Sequence, residues 1–222
     1  MDCEVICLDM HVHSRHSRDS ILTLQEIHKL AKKKEITPII CDHNTIQGSL
    51  EYHQRNYYSH DDCPRIVAEE IRTTHGEIIG LFLNEKIPPY LSPAETLDAI
   101  HDQGGIAIIP HPGDRYRKKS AMGYETITAL LPKVKIVEVY NSRTISQTDV
   151  TVANQYAHTH NLSIAGGSDA HCKRELFRTI VQIAPFDDPH QFIRNLQTAK
   201  IQYRRSYPAY HLVSIISKRV RR

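Results

Sequence analysis

Two rhythms of apolar and polar positions alternate along the chain. Short Val- and Ile-rich runs, as expected of strands buried on both faces, are followed by longer stretches with apolar residues at helical spacing. "EVICLDM" precedes residues 21 to 35, where Ile27, Leu30 and Ala31 share a helical face. The order repeats as "TPIIC" then residues 46 to 56, and a helical stretch over 93 to 103 precedes "GGIAIIPHP". "VKIVEVYN" precedes a helix over 149 to 160, then come "LSIAGGSDAH" and a helix over 188 to 200. "PRIVAEEI" and "GEIIGLFL" break the rhythm and predict two strands joined by a turn near Gly76. In "SPAE", Ser92 is set as N-cap with Pro93 first and Glu95 third, and Gly104 and Gly105 close the far end. Such alternation predicts an α/β fold, sheet or barrel, with mostly parallel strands. No linker, repeat or low-complexity block divides the 222 residues, so one domain over 1–222 is expected, with a basic tail over about 205–222.

Composition narrows the class. No apolar run approaches the roughly 18 residues of a membrane span, so no membrane partner is expected. "MDCEVICLDM" has neither a basic region nor an uninterrupted apolar stretch, which predicts no secretory signal and a cytoplasmic address. Cys3, Cys7, Cys41, Cys63 and Cys172 are odd in number and form no C-x-x-C pair, against both a disulfide framework and a zinc ribbon. A net charge of +3 does not imply a dedicated nucleic-acid protein, although "SKRVRR" concentrates basic residues. Histidine is the anomaly: the chain has 15, and imidazole is the commonest metal-binding side chain.

These histidines fall with carboxylates at the C-terminal ends of the predicted strands. "VICLDMHVH" ends in His11 and His13, "PIICDH" in Asp42 and His43, "IVAEE" in Glu69 and Glu70, "IAIIPH" in His111, and "SIAGGSDAH" in Asp169 and His171. Parallel α/β folds carry their active sites on that rim. Residues two apart on a strand project to one face, so His11 with His13, and Asp169 with His171, can grip one ion together. A lone His-x-His is weak and fits a surface loop, but agreement of five strand ends favours a metal site. Mixed imidazole and carboxylate ligands suit Zn, Mn or Fe.

The motifs "DMHVHSRHSRDS", "CDHNTI", "AEEIRTTHGEIIGLFL", "IPHPGDR", "VEVYNSR" and "GSDAH", in that order, resemble the polymerase and histidinol phosphatase (PHP) domain family over nearly the whole chain. The resemblance implies a distorted TIM-like barrel of seven β/α units with two or three divalent metal ions at the strand ends. It implies that His11, His13, Glu70 and Asp169 surround one ion, and that Glu70 bridges to a second held by His111. Asp19, His43 and His171 take the third and are expected to be catalytic as well as metal-binding. Glu70 rather than Glu69 follows from the family pattern alone, and Asp9 and Asp42 are expected to orient neighbouring imidazoles. Glu77 stands where many relatives have histidine.

The implied activity is metal-dependent hydrolysis of phosphate esters, monoester or diester, by water activated on the ions. The expected partner is a small phosphorylated substrate, including a nucleotide or short oligonucleotide; the oligomeric state is open. Arg143 is a candidate phosphate contact against a surface ion pair, whereas "RYRKK" reads as a solvated loop. Tyr57, Tyr58, Tyr203, Tyr207 and Tyr210 are candidates for base stacking, with packing the commoner role. An amidohydrolase-type enzyme cleaving a C–N bond also begins with His-x-His, and a non-catalytic metal-binding accessory module is a third possibility.

Overall fold

The computed structural model describes residues 5–57 and 64–220. Cys3, Tyr58, His60, Cys63 and the final two arginines of the tail lie outside the described residues.

The predicted rhythm is present, but the expected mostly parallel pairing is corrected. Strand β1 (Ile6–Val12) leads to helix α1 (Leu24–Lys34), β2 (Thr37–Ile40) to α2 (Gln47–Gln54), and β3 (Ala68–Thr73) turns directly into β4 (Gly76–Leu81). Then follow α3 (Pro93–Asp102), β5 (Ile106–Ile109), α4 (Tyr124–Ala129), β6 (Ile136–Asn141), α5 (Gln147–Thr159) and β7 (Ser163–Gly167). The chain continues through β8 (Thr179–Ile183), α6 (Pro189–Leu196), β9 (Lys200–Tyr203), a 3-10 turn and α7 (His211–Val220). Of the seven strand pairings among the described residues three are parallel and four antiparallel, because the β3–β4 turn and the docking of β8 reverse the chain direction. Local chemistry accounts for the boundaries. Thr23 with Glu26, and Ser92 with Glu95, form capping boxes that satisfy the free N–H groups opening α1 and α3. Gly76, at φ 92°, makes the tight turn between β3 and β4, which pair antiparallel from Thr73 opposite Gly76 to Ala68 opposite Leu81.

Among the described residues the strands form two sheets, one ordered β2-β1-β8-β9 and the other β3-β4-β5-β6-β7, so the expected distorted barrel of seven β/α units is corrected to two sheets that do not close. β8 and β9 were not foreseen, and β8 explains the opening. It pairs antiparallel with Ile6–Leu8 and occupies the edge of β1 that a closed barrel would give to β7. Among the described residues the backbones of the two sheets pair at their upper ends, through isolated parallel bridges between Val12 and Ala170 and between His43 and Glu70.

Side-chain alternation divides the apolar residues among three clusters. Leu8, Met10, Ile39, Ala68, Ile79, Leu81, Ile106, Ile108, Ile136, Ala165 and Val181 fill the space between the sheets. Ile71, Ile78, Ala107, Ile109, Val137 and Val139 face α3, α4 and α5, while Val12 and Ile40 face α1 and α2. One irregularity in this alternation builds the site. The pairing of β1 with β2 shifts register between Asp9 and Val12, so Leu8 and Met10 point inward yet Val12 points outward. The bulge turns His11 and His13 inward at the rim.

Gly167 lies against that bulge: a Cβ placed there would sit 2.3 Å from the His11 Cβ and 2.7 Å from the His11 nitrogen. Gly167→Ala therefore forces β7 away from β1. It is expected to destabilise the protein by about 1–3 kcal/mol, which a thermal or denaturant melt measures.

Candidate metal centre

Glu70, on the inward parity of β3 with Ala68, is the hub of a buried cluster. Its Oε1 lies 3.2 Å from His111 Nε2 and 3.5 Å from His11 Nε2; its Oε2 lies 3.3 Å from His13 Nε2 and 2.9 Å from His43 Nδ1. Asp169 Oδ1 closes the other side, 3.4 Å from His13 Nε2 and 3.5 Å from His171 Nδ1. Asp19 completes the outer end, 3.4 Å from His43 Nε2 and 3.5 Å from His171 Nε2. All eight predicted metal residues thus come together. His111 and Asp169 hold positive φ angles of 33° and 52°, two of the nine non-glycine residues among the described ones to do so.

Hydrogen bonds fix which imidazole nitrogen faces inward. His11 Nδ1 donates to Glu138 Oε1 at 3.0 Å, directing Nε2 into the cluster. The Ser17 hydroxyl donates to Asp42 at 2.7 Å and so accepts from His13 Nδ1 at 3.2 Å, directing the His13 Nε2 inward as well. The two Nε2 atoms then face each other at 3.0 Å, an arrangement that repels unless a proton or a metal cation stands with them. Glu70 Oε2 and Asp19 Oδ1 are buried without a hydrogen-bond donor directed at them. Nitrogen and oxygen donors within 4.8 Å of one another occur in three sets: His13, His43 and His171; His11, His13 and Glu70; and Glu70, Glu77 and His111. This donor chemistry fits divalent ions of the Zn, Mn or Fe kind. Glu77, 3.8 Å from His111 Nε2 and 2.9 Å from Arg72, stands close enough to join the last set.

Charge in the cluster is strongly coupled. Burial opposes ionisation of Glu70, yet His11 and His43 outweigh it and hold the carboxyl well below the usual range. Burial likewise opposes ionisation of Asp169, which Arg117 and His11 hold low. His13 is pushed down to about 3, first by burial and then by His171 and His43.

Several residues take unexpected places. Glu138 was not foreseen: besides His11 it accepts from the His111 backbone N–H at 3.0 Å and from Asn141 Nδ2 at 2.9 Å. An acid between Val137 and Val139, at the parity of the inward Ile136, was its signal. Asp9 touches no imidazole; it accepts from the backbone N–H groups of His11, Ser168 and Phe177. Asp42 acts on His13 only through Ser17. Arg143 is buried rather than in a surface ion pair, with its guanidinium 2.7 Å from His171 Nδ1, 3.3 Å from Glu175 and donating to the Ser214 hydroxyl of α7. The "RYRKK" segment is not simply solvated, because Arg117 reaches Asp169 Oδ2 at 2.6 Å. Tyr57 packs on His28, Tyr203 on Tyr140, and Tyr207 on Tyr210, as packing residues.

Helix α7 covers one side of this rim with Ser214 and Ser217, the latter donating to the Arg18 carbonyl beside Asp19, and turns Leu212, Ile216 and Val220 to solvent. The centre opens to a cavity of about 1410 Å³ lined by Asp19, His43, Asp169 and His171 together with Arg117, Arg143 and lysines. No helix among the described residues is long and apolar enough to cross a membrane.

No family model matches the chain. It is 38% identical over 166 residues to uncharacterized protein MJ0417 of Methanocaldococcus jannaschii, a match covering 74% of this chain and 65% of that protein. Uncharacterized protein MJ1587 of the same organism is 41% identical over 140 residues, covering 54% of this chain and 81% of that protein. Among solved structures, a two-domain Bacteroides vulgatus protein containing a predicted PHP-like metal-dependent phosphoesterase superposes with TM-score 0.72 at 17% identity, covering 91% of this chain and 66% of that one. The lesion-specific endonuclease EndoQ of Pyrococcus furiosus gives TM-score 0.61 at 15% identity, over 89% of this chain and 58% of that one. An amidohydrolase of Chromobacterium violaceum gives 0.57 at 17% identity, over 74% and 87%. The fold is therefore of the PHP and amidohydrolase type.

Glu138→Gln removes the charge that orients His11 while keeping the shape of the side chain. It is expected to weaken divalent-ion binding by about 10- to 100-fold, as read by isothermal titration with Mn or Zn.

Proposed function

We propose that this chain, which belongs to one protein family with MJ1587 of Methanocaldococcus jannaschii, is a metal-dependent hydrolase of phosphate esters. The observation that carries the proposal is the buried convergence of imidazoles and carboxylates on Glu70 and Asp169 beside an open, cation-lined cavity. Carboxylates bind metal ions in many enzymes, but a rim that adds Arg117, Arg143, Lys118 and Lys119 to such a cluster suits an anionic substrate.

In this proposal His11, His13, Glu70 and Asp169 hold one ion, Glu70 with His111 and Glu77 a second, and Asp19, His43 and His171 a third. Divalent ions bound there supply an activated water and offset the charge that develops on the phosphate oxygens. The protein's own groups do the positioning. Glu138 and the Asp42–Ser17 pair keep Nε2 of His11 and His13 turned inward. Arg117 and Arg143 carry fixed positive charge to the cavity wall, where phosphate oxygens are held and neutralised. Arg143 also donates to Ser214 of α7 and pairs with Glu175, which ties the substrate-facing wall to that helix. Asp19 and His43 also line the cavity, so the proposed ligands of the third ion border the bound ester.

The test is a panel of phosphomonoesters, phosphodiesters and cyclic amides assayed with Mn, Zn or Fe. Phosphate-ester turnover that EDTA abolishes and added metal restores is expected. Turnover of amides alone would establish the C–N hydrolase instead, and a metal-replete protein inert on every substrate would favour the accessory module. His13→Ala is expected to lose both metal and hydrolysis while its far-ultraviolet circular dichroism remains native. An active, metal-replete variant removes His13 from the site.

A further inference from the structure

The cavity is larger and more decorated than a lone phosphate requires. Its volume of about 1410 Å³ exceeds the 300–1,000 Å³ usual for small-molecule pockets. Lys118, Lys119 and Lys218 are exposed on its rim, and none makes an ion pair with a carboxylate among the described residues. These charges lie beyond Arg117 and Arg143, which already reach the metal cluster. Unpaired lysines around one mouth are matched by more than one phosphate.

Two aromatic rings stand among them. Tyr90 is 68% exposed and Tyr116 63% exposed, and both line the cavity from separate loops. Most other large aromatics here are occupied: Tyr57 stacks on His28, Tyr124 on Tyr156, and Tyr203 on Tyr140. Among the described residues neither Tyr90 nor Tyr116 packs on another ring. Tyr90 is moreover held open by its backbone. Its φ of 68° lies in the left-handed region that a bulky L-residue seldom adopts, and its N–H donates to the Arg72 carbonyl at 2.6 Å. The two prolines before it and the bond from the Thr74 N–H to the Leu91 carbonyl fix that loop to the end of β3.

We infer that the substrate is a nucleotidyl phosphate ester, its bases stacking on Tyr90 and Tyr116 and its flanking phosphates on Lys118, Lys119 and Lys218; this rests on the phosphoesterase proposal above. Aromatic platforms interleaved with lysines are the sequence-tolerant means of holding single-stranded nucleic acid. A sugar phosphate offers one anionic group and no π-face, and leaves both features unused. The shared chemistry is a phosphate ester next to a base, whether in a mononucleotide or at a strand end.

The experiment compares p-nitrophenyl phosphate, bis-p-nitrophenyl phosphate, glucose 6-phosphate, AMP and a 5′-phosphorylated pentanucleotide on the metal-loaded full chain. Nucleotidyl substrates are expected to show the highest kcat/KM; preference for AMP or for the pentanucleotide identifies the source. Tyr90→Asn, whose side chain tolerates a positive φ, and Tyr116→Ala are each expected to lower the ratio of nucleotidyl to p-nitrophenyl kcat/KM about tenfold or more. Tyr90→Phe and Tyr116→Phe, which keep the rings, are expected to restore it. Fluorescence anisotropy of a labelled pentanucleotide should show a parallel rise in Kd, and a shallower salt dependence in Lys118→Ala with Lys119→Ala. A ratio unmoved by loss of both rings while simple esters are cleaved, or preference for glucose 6-phosphate, overturns this inference and leaves the phosphoesterase proposal standing. Cleavage of no ester at all overturns both.

Discussion

A single carboxylate surrounded by imidazoles is the constraint that the rest of the molecule serves. Glu70 is buried, and a buried charge is costly unless compensated. His11, His13, His43 and His111 supply that compensation from three further strand ends. Each of those imidazoles is in turn useless unless its ring is held in one orientation. Hence the second layer: Glu138 on the His11 ring and the His111 backbone N–H, Ser17 and Asp42 on His13, and the Asp169 carbonyl accepting from His171 Nδ1. His111 and Asp169 hold their positive φ angles within this network.

The two-sheet architecture and the site depend on each other. Below the rim the sheets are held together by apolar packing between Leu8, Met10, Ile79, Leu81, Ile108 and Ile136. At the rim that packing stops, and among the described residues two single bridges link the ladders. Val12 opposite Ala170 and His43 opposite Glu70 sit within or beside the cluster, so cations bound there would join the sheets where backbone pairing lapses. Metal binding and folding are then linked, since a ligand that binds only the assembled rim stabilises it.

The sequence revealed most of the centre because its residues directly follow apolar runs, and a strand end is visible in a linear pattern. The choice of Glu70 over Glu69 rests on the family pattern alone; the structure supplies its physical reason, since Ala68 and Glu70 share the inward face and Ile71 takes the outward one. Glu138 escaped notice because it lies inside a strand rather than at its end, where a carboxylate in an apolar run signals a buried partner. β8 and β9 escaped for a different reason. β9 is half-exposed and short, and neither strand carries ligand residues, so the docking of β8 on β1 and of β9 on β8 depends on long-range pairing that no local pattern encodes. Arg117 and Tyr90 belong to loops, and loop side chains acquire their neighbours only from the tertiary fold.

The spread of the cluster along the chain, from His11 to His171, has a consequence for biosynthesis. While the polypeptide is emerging from the ribosome, His11 and His13 are present long before Asp169, and no complete cage can exist until β7 and the segment after it have left the exit tunnel. Assembly of the complete cage is thus postponed until that segment has emerged, when the geometry of the whole set rather than of the first pair would select any ion bound there.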